Sequence, residues 1–454
     1  MRKAELLALL GILIAFFLRV HSLGDKNVWW DEGLAIWAVR QSLPQTTLWT
    51  AGDVHPPLYF WLLWLWVRFA GESEFSARYL TVIAATLTVA SVFPLARTLG
   101  GVESGLLALW LLALSRFHIW WSQEMRMYVP AALFSTLAAC FSLKAVSPKG
   151  TLKAWVGLAL SCLAALYTLY SSVFLLPVCA IPIFLRAFER DRREILGRAA
   201  LAFGAVVLLW TPWLLLALPR MQSWSVVEKP FSLGATFKLN AVLLATGIST
   251  DVERLLPLGL FFVALALAGL PLSAWKDREA IPGILMLLDG VLIQSLAVWA
   301  LTQPRSIFYV PRVEARYFIP FAPFFYSLLA LSLATFGRRA YPLALVALTL
   351  MVIFLPRYYA ERDWEDDIPA MVRLIQVYSR PGDAVVLISG DRFPEFGYYY
   401  RSGGQDLPLY TVPRLSPALS PETVERSWAG SSADTRECGW QRSSPSSRTP
   451  RASP

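Results

Sequence analysis

"PPLYFWLLWLWVRFA", Pro56 to Ala70, is the stretch on which the threading of the whole chain turns. It is apolar enough to pass for a membrane span. Between Pro57 and Arg68, however, it offers only a short run, opened by a proline pair and loaded with tryptophan. A helix needs roughly 20 apolar residues to cross about 30 Å of hydrocarbon, and tryptophan prefers headgroup depth. We therefore read the stretch as a helix lying on the outer membrane surface. Counting it as a span would invert every later loop.

Working outward, the 454 residues are 56% hydrophobic and 16% charged, with a mean hydropathy of +0.50. That composition excludes an ordinary soluble domain and indicates a polytopic membrane protein, whose spans must be helices because lipid leaves no partner for an open backbone. Candidate spans fall at about 5–20, 79–97, 105–120, 129–146, 154–170, 171–186, 199–218, 256–274, 281–301, 317–336 and 341–356, about eleven in all. The first follows "MRKAE" and precedes the bulky "HSLGDKNVWW", which has no small-residue cleavage site, so it reads as a retained anchor.

The loops "SPKGTLK", "RAFERDRREILGR", "WKDREA" and "FGRRA" are short and basic, and this threading puts them on one side with the N-terminal "MRK". Positive-inside makes that side cytoplasmic. The net charge of +9 is thereby accounted for by loops, and nucleic acid is not an expected partner. The expected location is the cytoplasmic membrane, multi-pass, with the N-terminus inside and the C-terminus outside. Cys140, Cys162 and Cys179 sit in apolar runs and Cys438 lies alone, which gives neither a disulfide framework nor a zinc spacing.

Three regions follow: a membrane domain over 1–356, a small soluble extracytoplasmic region over 357–426 and a tail over 427–454. In the second, "WEDDIPAMVRLIQVYSR" reads as an amphipathic helix, "AVVLIS" as a buried strand and "LPLYTVP" as a second strand, a small α/β appendage that is complete or cut short. The tail contains no Val, Ile, Leu, Phe, Met or Tyr and cannot supply a core. It is either native disorder or the product of a truncated or frame-shifted domain. The fold class is an all-α polytopic membrane bundle with this appendage.

Three polar clusters share the outer face under this threading. "NVWWDEGLAIW", Asn27 to Trp37, sets Asp31 and Glu32 just past the first span. "GDVHPPLYF" presents Asp53 and His55 before the surface helix, and "WWSQEMRMYVP" holds Glu124, Arg126 and Tyr128 in a short loop. Taken singly, each has a bland reading: an interfacial acid pair, a helix start, a solvated ion pair. Their convergence from separate loops on one face is what suggests a site.

These residues resemble a family. "DE" after the first span, "DVHPPL" before a surface helix, "SEFSARYLTVIAATLTV" entering the second span and "SQEMRMY" in the second outer loop are similar to the C-type (GT-C) membrane glycosyltransferases. Within these, the likeness is to bacterial family 39 proteins, which are related to protein O-mannosyltransferases and the lipid A aminoarabinose transferase. It covers about residues 5–330. It implies a polyprenyl-phosphate sugar donor, a protein, lipid or polysaccharide acceptor, and transfer on the extracytoplasmic face of the membrane. It further implies Asp31 as the base, Glu32 as its partner, His55 as a substrate-binding residue and Arg78 near the donor phosphate. Glu124 matches the acidic position of the second loop, where other members carry an Asp or a DxD pair.

A single displacement needs one base for the acceptor proton and cations for the leaving phosphate. Arg126, Arg312 and Arg316 supply further guanidinium groups, which match phosphate geometry. If a divalent cation such as Mg²⁺, Mn²⁺ or Zn²⁺ takes part, Asp31, Glu32 and Glu124 are its expected ligands, although no recognisable metal motif is present. A lipid flippase or transporter is the alternative from another class; it would put ionisable residues at mid-membrane. Asp289 is one such residue, and no motif accompanies it.

Overall fold

The computed structural model describes residues 3–189, 192–221, 227, 229–249, 251–305, 310–360, 367–380, 382–387, 393–402 and 407–411. It divides into two compact units, one drawn from Met1–Val28 and Ala35–Asp366, the other from Trp29–Leu34 and Asp367–Pro454. The expected tail over 427–454 lies outside the described residues.

The larger unit is helical throughout. It opens with α1 (Lys3–Val20), α2 (Trp30–Arg40, its first turn belonging to the smaller unit), α3 (Leu43–Gly52), α4 (Leu58–Ala70) and α5 (Glu74–Leu114). There follow α6 (Arg116–Ser122), α7 (Tyr128–Ala145), α8 (Leu152–Thr168), α9 (Leu175–Glu189), α10 (Arg192–Ala217) and α11 (Leu233–Thr246). The unit closes with α12 (Val252–Ala268), α13 (Leu270–Lys276), α14 (Ile281–Leu301), α15 (Ala322–Thr335), α16 (Tyr341–Ile353) and α17 (Leu355–Ala360).

Among the described residues, seven helical stretches are long and apolar enough to cross a membrane: 74–114, 128–145, 170–189, 192–217, 252–276, 278–301 and 337–360. The chain is a multi-pass membrane protein. The remaining expected spans are also helical, but α1 carries Lys3, Glu5 and Arg19, and α8 and α15 have 17 and 14 residues.

α5 contains the expected span 79–97 and most of 105–120, whose last residues lie in α6. Gly100 and Gly101 leave helical geometry, and Gly101 has φ +76°, a left-handed value that only glycine adopts without strain. The chain reverses there: a Cβ on Gly105 would stand 2.9 Å from the Phe93 carbonyl oxygen, so the segments before and after the glycines run back to back. α4 has 13 residues, about 20 Å of helix, too short to cross about 30 Å of hydrocarbon. Its tryptophans are tied down by hydrogen bonds, Trp61 Nε1 to Thr47 Oγ1 at 2.8 Å, Trp64 Nε1 to the Gln41 carbonyl at 3.0 Å and Trp66 Nε1 to the Ser76 carbonyl at 2.8 Å. The Arg68 guanidinium stacks 3.5 Å over Trp64. Each indole ring is thus half-buried with its N–H satisfied.

In the smaller unit, α18 (Ile368–Tyr378) starts at Asp367, whose side chain accepts from the Ala370 N–H at 3.1 Å. It packs Val372 against Phe396 and Tyr400 of α19 (Phe393–Ser402), beside β1 (Val385–Leu387) and β2 (Leu409–Thr411). The two strands pair in parallel, Val385 opposite Leu409. Parallel pairing needs a crossover, and α19 supplies it.

Candidate functional site

The larger unit gathers its buried charges where α1 ends and α5 begins. Arg19, fully buried, donates to the carbonyls of Ala15 (2.9 Å), Ala113 (3.0 Å) and Leu112 (3.0 Å), and its Nη2 lies 2.9 Å from His118 Nδ1. Beside it, the Gln123 side-chain amide donates to the carbonyls of Arg19 and His21, each at 2.9 Å, while Tyr358 O–H donates to Gln123 and Tyr359 O–H to the Leu18 carbonyl. Buried carbonyls at the end of a helix need such donors, and charged donors give the stronger bonds. The end of α1 is therefore locked to the segment around α6 and to α17.

Arg78, the fifth residue of α5 and 1% exposed, donates to the carbonyls of Leu23 (3.1 Å), Lys26 (2.9 Å) and Asn27 (2.8 Å). One guanidinium thus sets the course of the loop that leads to Trp29. From that loop the Lys26 ammonium reaches to 3.6 Å from Glu124 Oε1 and stands over the Trp120 ring at 4.6 Å. Both side chains of the ion pair are only 5% exposed. Such a pair repays its desolvation only with good geometry and further partners, and the aromatic face is one of them.

A second line of polar groups runs across three loops. Asp53 ends α3, and its Oδ2 lies 2.8 Å from His55 Nδ1, while His55 Nε2 is 3.4 Å from Arg126 Nη2. A proton on Nδ1 shared with Asp53 leaves the Nε2 lone pair facing the guanidinium. Arg126 lies on a tight turn, its N–H donating to the Glu124 carbonyl at 2.8 Å, so Glu124 reaches Lys26 while Arg126 reaches His55. The Arg126 guanidinium is 5.9 Å from the Tyr128 ring, and that of Arg316 is 5.7 Å from the same ring. Arg316 pairs with Glu314, and the Gln294 amide fixes the turn by donating to the Tyr317 carbonyl at 2.6 Å.

The sequence-predicted residues thus fall into separate groups. His55, Arg126, Tyr128 and Arg316 form one line, Glu124 pairs with Lys26, and Arg78 holds the loop carbonyls. Arg312 is exposed. Asp31 and Glu32, 5% and 0% exposed, occupy the first turn of α2 in the smaller unit, where Gly33 presses on the backbone of Glu395. Sequence reasoning passed over Lys26, Arg19 and Gln123; a lone arginine inside the first apolar run was the available signal for Arg19. Among the described residues, no three His, Cys, Asp or Glu side chains converge into a metal-binding group.

Residues 54–216 match the family model described as dolichyl-phosphate-mannose-protein mannosyltransferase. Two curated relatives are undecaprenyl phosphate-alpha-4-amino-4-deoxy-L-arabinose arabinosyl transferases from strains of Pseudomonas aeruginosa. One is 33% identical over 165 residues, 35% of this chain and 30% of its own length. The other is 27% identical over 275 residues, 56% of this chain and 46% of its own length. The chain spans less than half the length of these relatives. In fold it is similar to the crystal structure of ArnT from Cupriavidus metallidurans bound to undecaprenyl phosphate, with a TM-score of 0.62 at 13% identity over 93% of this chain and 87% of that one.

Proposed function

We propose that this chain, whose residues 54–216 match the mannosyltransferase family model, is an integral-membrane glycosyltransferase. It moves a sugar from a polyprenyl-phosphate donor to a hydroxyl of a protein, lipid or glycan acceptor on the extracytoplasmic side of the membrane, with about eleven helical spans. The observation that carries this reading is the line from His55 through Arg126 and Tyr128 to Arg316, drawn from three loops. It offers guanidinium groups beside an aromatic face, as a phosphate at the edge of a bilayer requires.

In the reaction the acceptor oxygen forms a bond to the anomeric carbon as the bond from that carbon to the phosphate oxygen breaks. The leaving phosphate keeps the electron pair, and the acceptor proton passes to a carboxylate, the role that the "DE" motif gives to Asp31. A one-step displacement inverts the anomeric centre. Arg126 and Arg316, with His55 between Asp53 and Arg126, stabilise the charge on the phosphate, which in the ground state is already an anion and needs positioning more than activation. Glu32 orients Asp31. Arg78 serves by holding the loop carbonyls of Leu23, Lys26 and Asn27, and Glu124 by holding Lys26. Arg312 is a further cation for the incoming donor.

The test is direct. Purified protein in lipid nanodiscs is incubated with a panel of polyprenyl-phosphate sugars and an acceptor extract, and released polyprenyl phosphate is followed. Release with one donor names the sugar. Absence of release with every donor, from protein shown to be folded, removes the reading.

A further inference from the structure

Asp289 is the ionisable residue that the proposed reaction does not use. It is the ninth of the 21 residues of α14, about 12 Å along a helix of about 32 Å, which places it at mid-depth of a membrane span. Its helix turns an inner face to the bundle, where a Cβ on Gly290 would meet Phe324. The opposite face carries Leu285 and Leu292, 42% and 50% exposed. Asp289 shares that outer stripe at helical spacing with Leu285, Leu288 and Leu292.

Ile181, Phe184 and Leu185 of α9 form a second stripe beside it, and the two enclose a groove of about 450 Å³ with the carboxyl group on its wall. Among the described residues this carboxyl group has no hydrogen-bond or ion-pair partner. An acid so placed in hydrocarbon is expensive unless a partner meets it.

We propose that this groove receives a single transmembrane helix of another protein, one that carries a lysine or arginine at mid-membrane depth. Parallel apolar stripes on two neighbouring helices are the form that accepts a third helix, and the half-buried acid specifies the charge that it brings. A second copy of this chain meeting the groove by two-fold symmetry would bring the same acid to the same place, which like-charge repulsion opposes. A lipid amine sits at headgroup level, about 15 Å from the midplane, beyond reach of the carboxylate.

The full-length protein, labelled at an exposed loop and reconstituted in vesicles, is titrated with two synthetic leucine-rich transmembrane peptides, one with a single central lysine and one without. Energy transfer is expected to report about tenfold tighter association of the lysine peptide, and Asp289→Leu is expected to remove that preference. Asp289→Asn, closer in shape, serves should the leucine variant fail to elute as folded protein. Equal association of the two peptides, a lysine preference that survives both substitutions, or Asp289-dependent self-association of the protein each overturns the proposal.

Discussion

His55 Nδ1 lies 2.8 Å from Asp53 Oδ2, and the two residues flank Val54 at the point where α3 gives way to the proline pair that starts α4. The carboxylate fixes the orientation of the imidazole, so the two side chains act as one unit. His55→Ala and Asp53→Ala are each expected to raise the KM for the lipid donor by about tenfold. The double variant is expected to be little worse than either single one, because coupled residues do not add. Initial rates against donor concentration measure this; fully additive losses would separate the pair.

Asp31→Asn removes the proposed base while keeping the side chain's shape. Transfer is expected to fall by about 10³-fold or more, with donor binding and the folded elution profile retained. Near-normal turnover would take the role of base away from Asp31.

Lys26 and Glu124 form an ion pair that is almost wholly buried. Lys26→Met leaves the carboxylate beside a neutral side chain and is expected to cost about 3 kcal/mol, read as a lower thermal midpoint in detergent. The double variant Lys26→Met, Glu124→Gln is expected to recover much of that loss. A double variant as unstable as the sum of the two single ones would show that the pair carries no mutual stabilisation.

A Cβ on Gly33 would stand 2.7 Å from Glu395 Cα and 2.8 Å from its nitrogen, both backbone atoms that no rotamer change can move aside. Gly33→Ala is expected to cost the smaller unit about 1–3 kcal/mol and to expose α19 to limited proteolysis. An unchanged digestion pattern would mean that residues 29–34 do not pack on α19 in solution.

The helices were legible because lipid leaves the backbone no alternative, so apolar runs translate directly into spans. α4 is legible as a short apolar helix, and by length it falls with α8, α11 and α15 rather than with the seven long stretches. The chemistry-bearing residues were legible as types but not as partners. Arg78 read as a phosphate ligand, and in the folded chain its guanidinium holds three carbonyls of the loop after α1. Nothing local encodes that, since the bonds join residues more than 50 positions apart. The grouping of Trp29–Leu34 with α19 was equally invisible, because it depends on a close approach between Gly33 and Glu395 that only tertiary packing creates.

The glycine pair at 100–101 has a consequence for how the protein is made. Because α5 reverses there, its segments before and after the pair form a helical hairpin, with a long arm from Glu74 and a shorter one that ends at Leu114. The two arms pack on one another across the turn, so the hairpin is one packing unit before it meets the rest of the bundle. A side chain at position 101 would strain the turn at its φ of +76° and so loosen the pairing of the two arms, far from any group that takes part in chemistry.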